Sequence, residues 1–312
     1  MADEIYQNNY VGDQAAWHGK GTVMDGQFYA RDVVEKGGFD YTVVKIPLYT
    51  QDGQAVDRFA TVRNDLPIGD PDRILGVVGP RYEVVQNADA FTFFDNVVGE
   101  GQAIYTSAGV LGHGERTFIV ARIPMEFYVV DDKFEEYVVL NNSHDGSYAL
   151  RIMTTAVRVV CQNTLSAALR SFKSKVSLRH TTNVHSRMLD AAELLGLVDK
   201  KFRETQELFN HLVQKPLTHL LFEQFVEELF PAENPNRRTS EHRDGVKALF
   251  AHEWNQTLGI RHTAYSAFQA CVQYVDHVMP YRHGATRFEH ALFGPGVKVK
   301  DRAVKIATKL AG

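Results

Sequence analysis

The sequence predicts an α+β protein: an antiparallel β-meander sheet packed by a basic helix, followed by a mostly helical C-terminal region. Three observations lead there. Over residues 103–160, β-branched and aromatic runs alternate with short turns such as Gly112-His113-Gly114-Glu115 and Val130-Asp131-Asp132-Lys133, which is hairpin spacing. Beyond residue 188 the apolar residues recur at helical spacing instead. Between these regions, residues 144–181 open on an Asp145-Gly146 turn and run through a β-branched segment at 148–160. They turn helical near Asn163, where Leu165, Ala168, Leu169 and Phe172 share a face.

Taken in order, the chain begins with a mixed entry segment. Trp17-His18-Gly19-Lys20-Gly21 reads as a loop packed back on the core. Residues 40–49 and 59–63 read as a hairpin about Gln51-Asp52-Gly53-Gln54, and 74–78 as a short buried strand. Asn87 can cap a helix reaching Val98, with Phe91, Phe94 and Val98 on one side and Gly99-Glu100-Gly101 as its stop. Strands are expected at 103–111, 116–123 and 134–141, with the strand at 148 a fourth; loops this short favour antiparallel pairing. Helices are expected at 188–213, 217–230, 241–258, 263–279 and 299–310, with Gly259 as a C-cap. The expected division is an α+β core at 1–187 and a helical region at 188–312.

With 312 residues, 44% of them hydrophobic and 23% charged, the chain can bury a core without staples. No apolar run is long enough to span a membrane, and the opening MADEIYQNNY lacks the apolar segment of a signal peptide. The two cysteines, Cys161 and Cys271, lie far apart. A cytoplasmic protein with reduced thiols is therefore expected. The net charge of -4 hides a segregation: residues 1–150 carry 11 Lys and Arg against 23 Asp and Glu, and the rest of the chain is net basic. No Asp or Glu occurs between Asp145 and Asp190, whereas Arg151, Arg158, Arg170, Lys173, Lys175, Arg179 and Arg187 all do. Such imbalance points to a polyanionic partner, or to complementarity between the two halves.

Catalytic and metal motifs are weaker. His113, His144, His180, His185, Cys161 and Asp145 have ligating chemistry, but no CxxC or HExxH spacing joins them. The residue types favour hydrogen-bonded structural histidines. Cys161 with His144 and Asn163 has the composition of a thiol hydrolase, yet Cys161 follows Val159-Val160 and reads as a buried thiol. The run 109–114 lacks the Lys-Ser/Thr of a phosphate loop and reads as a hairpin turn.

The order of Gly76-Val77-Val78-Gly79, Tyr82, Val85-Gln86-Asn87, His144-Asp145-Gly146-Ser147, Arg158-Val159-Val160-Cys161-Gln162-Asn163-Thr164-Leu165 and Arg179-His180-Thr181 resembles the phage- and plasmid-borne family catalogued as domain of unknown function 932. Trp17-His18-Gly19-Lys20-Gly21 and Thr263-Ala264-Tyr265 with Tyr274-Val275-Asp276-His277 belong to the same likeness, which covers nearly the whole chain. It implies a protein of a mobile element acting inside a bacterium. The order of meander and basic helix is also similar, at fold level, to single-strand annealing proteins of the Red-beta and Erf class. Those proteins form oligomers that hold single-stranded DNA in a basic groove.

The resulting expectation is single-stranded DNA binding and strand annealing by a homo-oligomer. Arg151, Arg158, Arg170, Lys173, Lys175, Arg179 and His180 are the expected contacts, with Tyr148 and Phe172 as stacking partners. No cofactor, metal or membrane is implied. The alternatives are a metal-dependent nuclease or Cys/His hydrolase built on His144, Asp145, Cys161 and His180, and a structural or regulatory oligomer that touches no nucleic acid.

Overall fold

The computed structural model describes residues 5–12, 22–23, 30–98, 104–158, 163–164, 175–188, 198–232, 236–281 and 287–312. Within them the protein is α+β, with its antiparallel strands in the first two thirds and helices concentrated toward the C-terminus. The large sheet is built on the predicted meander. Strands β6 (Ile104–Leu111), β7 (Arg116–Val129), β8 (Asp132–Ser143) and β9 (Leu150–Arg158) are neighbours in chain order. The sequence did not point to the strand that extends this sheet beyond β6: β1 (Ile5–Gly12) pairs antiparallel with β6, and β2 (Thr22–Val23) pairs parallel with β1. A second sheet has three strands, β3 (Val43–Tyr49), β4 (Ala55–Arg63) and β5 (Ile74–Val78), in that order. Two helices accompany these strands, α1 (Ala30–Lys36) and α2 (Asn87–Val98).

The far edge corrects one expectation. Helical spacing suggested a helix starting near Asn163 and extending to Lys175. Instead β10 (Asn163–Thr164) pairs with the end of β9, and β11 (Lys175–Leu178) pairs with its start. Short apolar runs fit either period, and here the free edge of β9 captures them. Arg170, Lys173, Phe172 and Cys161 lie outside the described residues, as does the Trp17 loop.

The chain divides into two compact units. The first draws on Met1–Pro124, Tyr137–Thr154 and Lys175–Leu197; the second on Met125–Glu136, Thr155–Ser174 and Val198–Gly312. The core of the first packs Phe39, Phe91 and Phe94 with Ile119, Leu140, Leu150, Ile152, Val176 and Leu178. Leu150 and Ile152 face inward in β9, as alternation requires.

The second unit packs the outer part of the β7–β8 hairpin with helices. These are α3 (Val198–Val213), α4 (His219–Leu229), α5 (Arg237–Phe250), α6 (Ala264–Gln273), α7 (Arg287–Leu292) and α8 (Pro295–Ala311). Phe127 stacks on Phe134 at 4.7 Å between centroids, and Phe134 meets Phe209 of α3 at 5.5 Å. The Tyr265 hydroxyl of α6 donates to Asp132 at 2.8 Å. Asn236 caps α5, and Thr263 with Ser266 forms a capping box for α6. Helix α5 thus starts before the expected residue 241, because Asn236 supplies the cap. Helix α6 runs on into a π-helical turn, Tyr274–Val278, whose Asp276 forms a buried ion pair with Lys300 of α8. Among the described residues no helix is long and apolar enough to cross a membrane.

Candidate functional site

In the first unit the quoted motif residues converge on the end of β8 and the turn after it. Residues Asn142, Ser143 and His144 are fully buried there. Asp145 opens a tight turn by accepting from the Ser147 backbone N–H at 2.8 Å, and Gly146 takes a φ of +75°, which glycine adopts without penalty. Gly76 of β5 lies against this turn so closely that a Cβ there would stand 2.8 Å from the Asp145 Cα.

The segment that links β5 to α2 wraps this end of the strand. Lys45 of β3 donates to the carbonyls of Pro80 and Tyr82 at 2.9 and 2.7 Å, holding the turn at 79–82. Gln86 pairs with both backbone groups of Val43, its amide imitating a strand partner. Tyr82 donates to the Ser143 carbonyl at 2.7 Å and stacks on the His180 ring at 4.9 Å. Burial raises the Tyr82 phenol well above its ordinary range, with the Asp145 charge adding to the shift.

The hydrogen bonds of the two histidines fix their tautomers. Asn87 donates its amide to the Phe39 carbonyl at 3.1 Å, so its carbonyl oxygen is the acceptor for His144 Nε2 at 3.0 Å. His180 Nδ1 donates to the Glu83 carbonyl at 3.1 Å. Burial lowers His144 to about 3, with His180 and Arg63 adding to the shift. Burial lowers His180 to about 4, opposed by its bond to Glu83 and by Asp145. Both rings are therefore neutral at pH 7. Arg63 caps the other side: it lies 4.0 Å over the Tyr41 ring, pairs with Asp65 at 2.6 Å, and donates to the His113 carbonyl at 2.8 Å.

The expected nucleic-acid contacts are placed as follows. Arg151 stands opposite Ser177 across the β9–β11 pair, its guanidinium 4.9 Å over the Tyr148 ring. Ser177 and Arg179 are exposed, whereas Val176, Leu178 and His180 between and beside them are buried. Arg179 makes no ion pair among the described residues. His180 faces the interior, away from that exposed face. Arg158 and Lys175 are placed by backbone pairing alone, opposite Asn163 and Met153. Of the expected ligating residues, His113 is exposed and pairs with Asp72 at 2.8 Å, and His185 is exposed. Cys271 is a buried thiol of the second unit, and burial pushes its pKa up. Sequence reasoning named His144, Asp145 and His180 but not Glu83, Val85, Asn87 or Asn142 as their partners; the motif strings contained Val85 and Asn87 without giving them a role.

A meander-based α+β protein with a buried His–Asn–Tyr centre is thus the class defined by fold and site. Within it, the chain belongs to the family described as Domain of unknown function (DUF932), whose sequence model matches residues 74–292. That match spans β5, the wrapped strand end and most of the helical unit. No curated protein and no solved structure matches the chain.

Proposed function

We propose that the protein binds single-stranded DNA and anneals strands, working as a homo-oligomer for a phage or another mobile element in the cytoplasm of a bacterial host. The observation that carries this reading is the β9–β11 pair. It sets Arg151 beside the exposed Ser177–Arg179 edge, with the Arg151 guanidinium over an aromatic ring. A cation on an aromatic platform at a sheet surface offers both a phosphate contact and a stacking face. Arg158, Arg170, Lys173 and Lys175 extend the set on sequence grounds, in a stretch free of carboxylates from 146 to 189.

Fluorescence anisotropy of a labelled oligonucleotide at low and moderate salt tests it. Affinity should fall steeply with salt, and Arg151→Ala and Arg179→Ala should each reduce the log–log slope by about one. A flat salt response, or full binding in the double variant, would overturn the proposal. The meeting of His144, Asp145 and His180 favours one rival, a nuclease. Incubation of the same oligonucleotide with magnesium or zinc separates the two readings, since strand scission lost in His144→Ala belongs to the rival.

A further inference from the structure

Three side chains around the buried strand end are held in the same way. The segment 83–87 offers an acceptor at every second residue. The Glu83 carbonyl takes the His180 Nδ1 proton, the Val85 carbonyl takes an Asn142 amide proton at 3.0 Å, and the Asn87 side-chain oxygen takes the His144 Nε2 proton. Each side chain spends its donor on this segment and keeps a lone pair on its other atom. Those atoms are His180 Nε2, Asn142 Oδ1 and His144 Nδ1, and each is buried with no hydrogen-bond partner. Buried polar atoms are nearly always satisfied, and leaving one unsatisfied costs about 1–3 kcal/mol. Here all three are acceptors of one sign on side chains tied to one short segment. A single water has two protons and cannot serve three acceptors.

An imidazole whose N–H is engaged by a carbonyl or amide oxygen, with its other nitrogen bare, is the arrangement that orients metal-binding histidines. We propose that His144 Nδ1, His180 Nε2 and Asn142 Oδ1 ligate a divalent transition-metal ion such as Zn²⁺. Two imidazoles and an amide oxygen suit such an ion rather than the oxygen cages of Ca²⁺ or Mg²⁺. Asp145, in the turn after His144, supplies negative charge next to His180. Because His144 and Asn142 are fully buried, the ion has a structural role, tying β8 to the 79–87 segment and to the end of β11. The set contains only two of the residue types His, Cys, Asp and Glu, consistent with no cluster of three or more of these among the described residues.

The test is elemental analysis of the full chain purified from zinc-supplemented cells, with X-ray absorption at the zinc edge. The expected result is one zinc per chain with two imidazole shells. His180→Gln should fall well below one equivalent, while His185→Gln, an exposed control, should keep it. Should His180→Gln fail to fold, the absorption spectrum of the unaltered chain decides alone. Metal-free protein, a spectrum without imidazole scattering, or full occupancy in folded His180→Gln would overturn the proposal.

Discussion

Lys300 and Asp276 show at the scale of single residues what the interior tolerates. Both are almost completely buried, in a helical core otherwise made of Phe, Val and Ala. Burial alone lowers the Lys300 pKa, and the Asp276 carboxylate opposes that shift. Removing one partner strands the other charge, so Asp276→Ala should destabilise the protein by about 3–5 kcal/mol in urea unfolding. The pair Lys300→Met with Asp276→Leu should lose much less, because no orphaned charge remains. His144 and His180 provide a second test, by acid. Both titrate below their ordinary 6.5 when folded. Their contribution is therefore full above pH 6.5 and is lost as pH falls toward about 4, where only the unfolded chain readily accepts the protons. Chelator-treated protein should lose up to about 2 kcal/mol per histidine between pH 6.5 and 5. In His180→Gln that loss should be visibly smaller.

Among the elements, the β7–β8 hairpin combines strong packing with a poor turn. Its outer aromatics Phe127 and Phe134 sit in the helical core, yet its turn places Val130 at a φ of 56°. A β-branched residue in the left-handed region is strained by about 1–3 kcal/mol. Glycine accepts that conformation, so Val130→Gly should raise the unfolding free energy by about 1 kcal/mol, measured by denaturant titration. The same paragraph of the fold shows where local sequence suffices. The cap at Asn236, the Thr263–Ser266 box and Pro295 at the first turn of α8 mark their helices by local chemistry alone.

For the whole molecule, the meander from β6 to β9 and the helical C-terminal region were legible in the sequence, because alternation and helical periodicity are local signals. The pairing of β1 with β6 and the capture of 163–164 and 175–178 by β9 were not, because edge pairing depends on residues far apart in the chain. Of the candidate site, the histidines were legible as chemistry and their partners were not: a carbonyl at Glu83 or Val85 has no signature in a side-chain code. The two units interleave along the chain, since Met125–Glu136 and Thr155–Ser174 belong with the helices. A fragment ending at residue 187 should therefore expose Phe127, Phe134 and Ala156. It should bind a hydrophobic dye strongly and elute as aggregate, whereas the full chain should do neither.

The close approach of Gly76 to Asp145 also shapes how this chain can vary. A bystander strand, remote from every ionisable group it serves, has no room for even the smallest side chain without pushing the aspartate aside. In a library of all single substitutions, position 76 should rank with the histidines themselves, although it contributes no chemistry of its own.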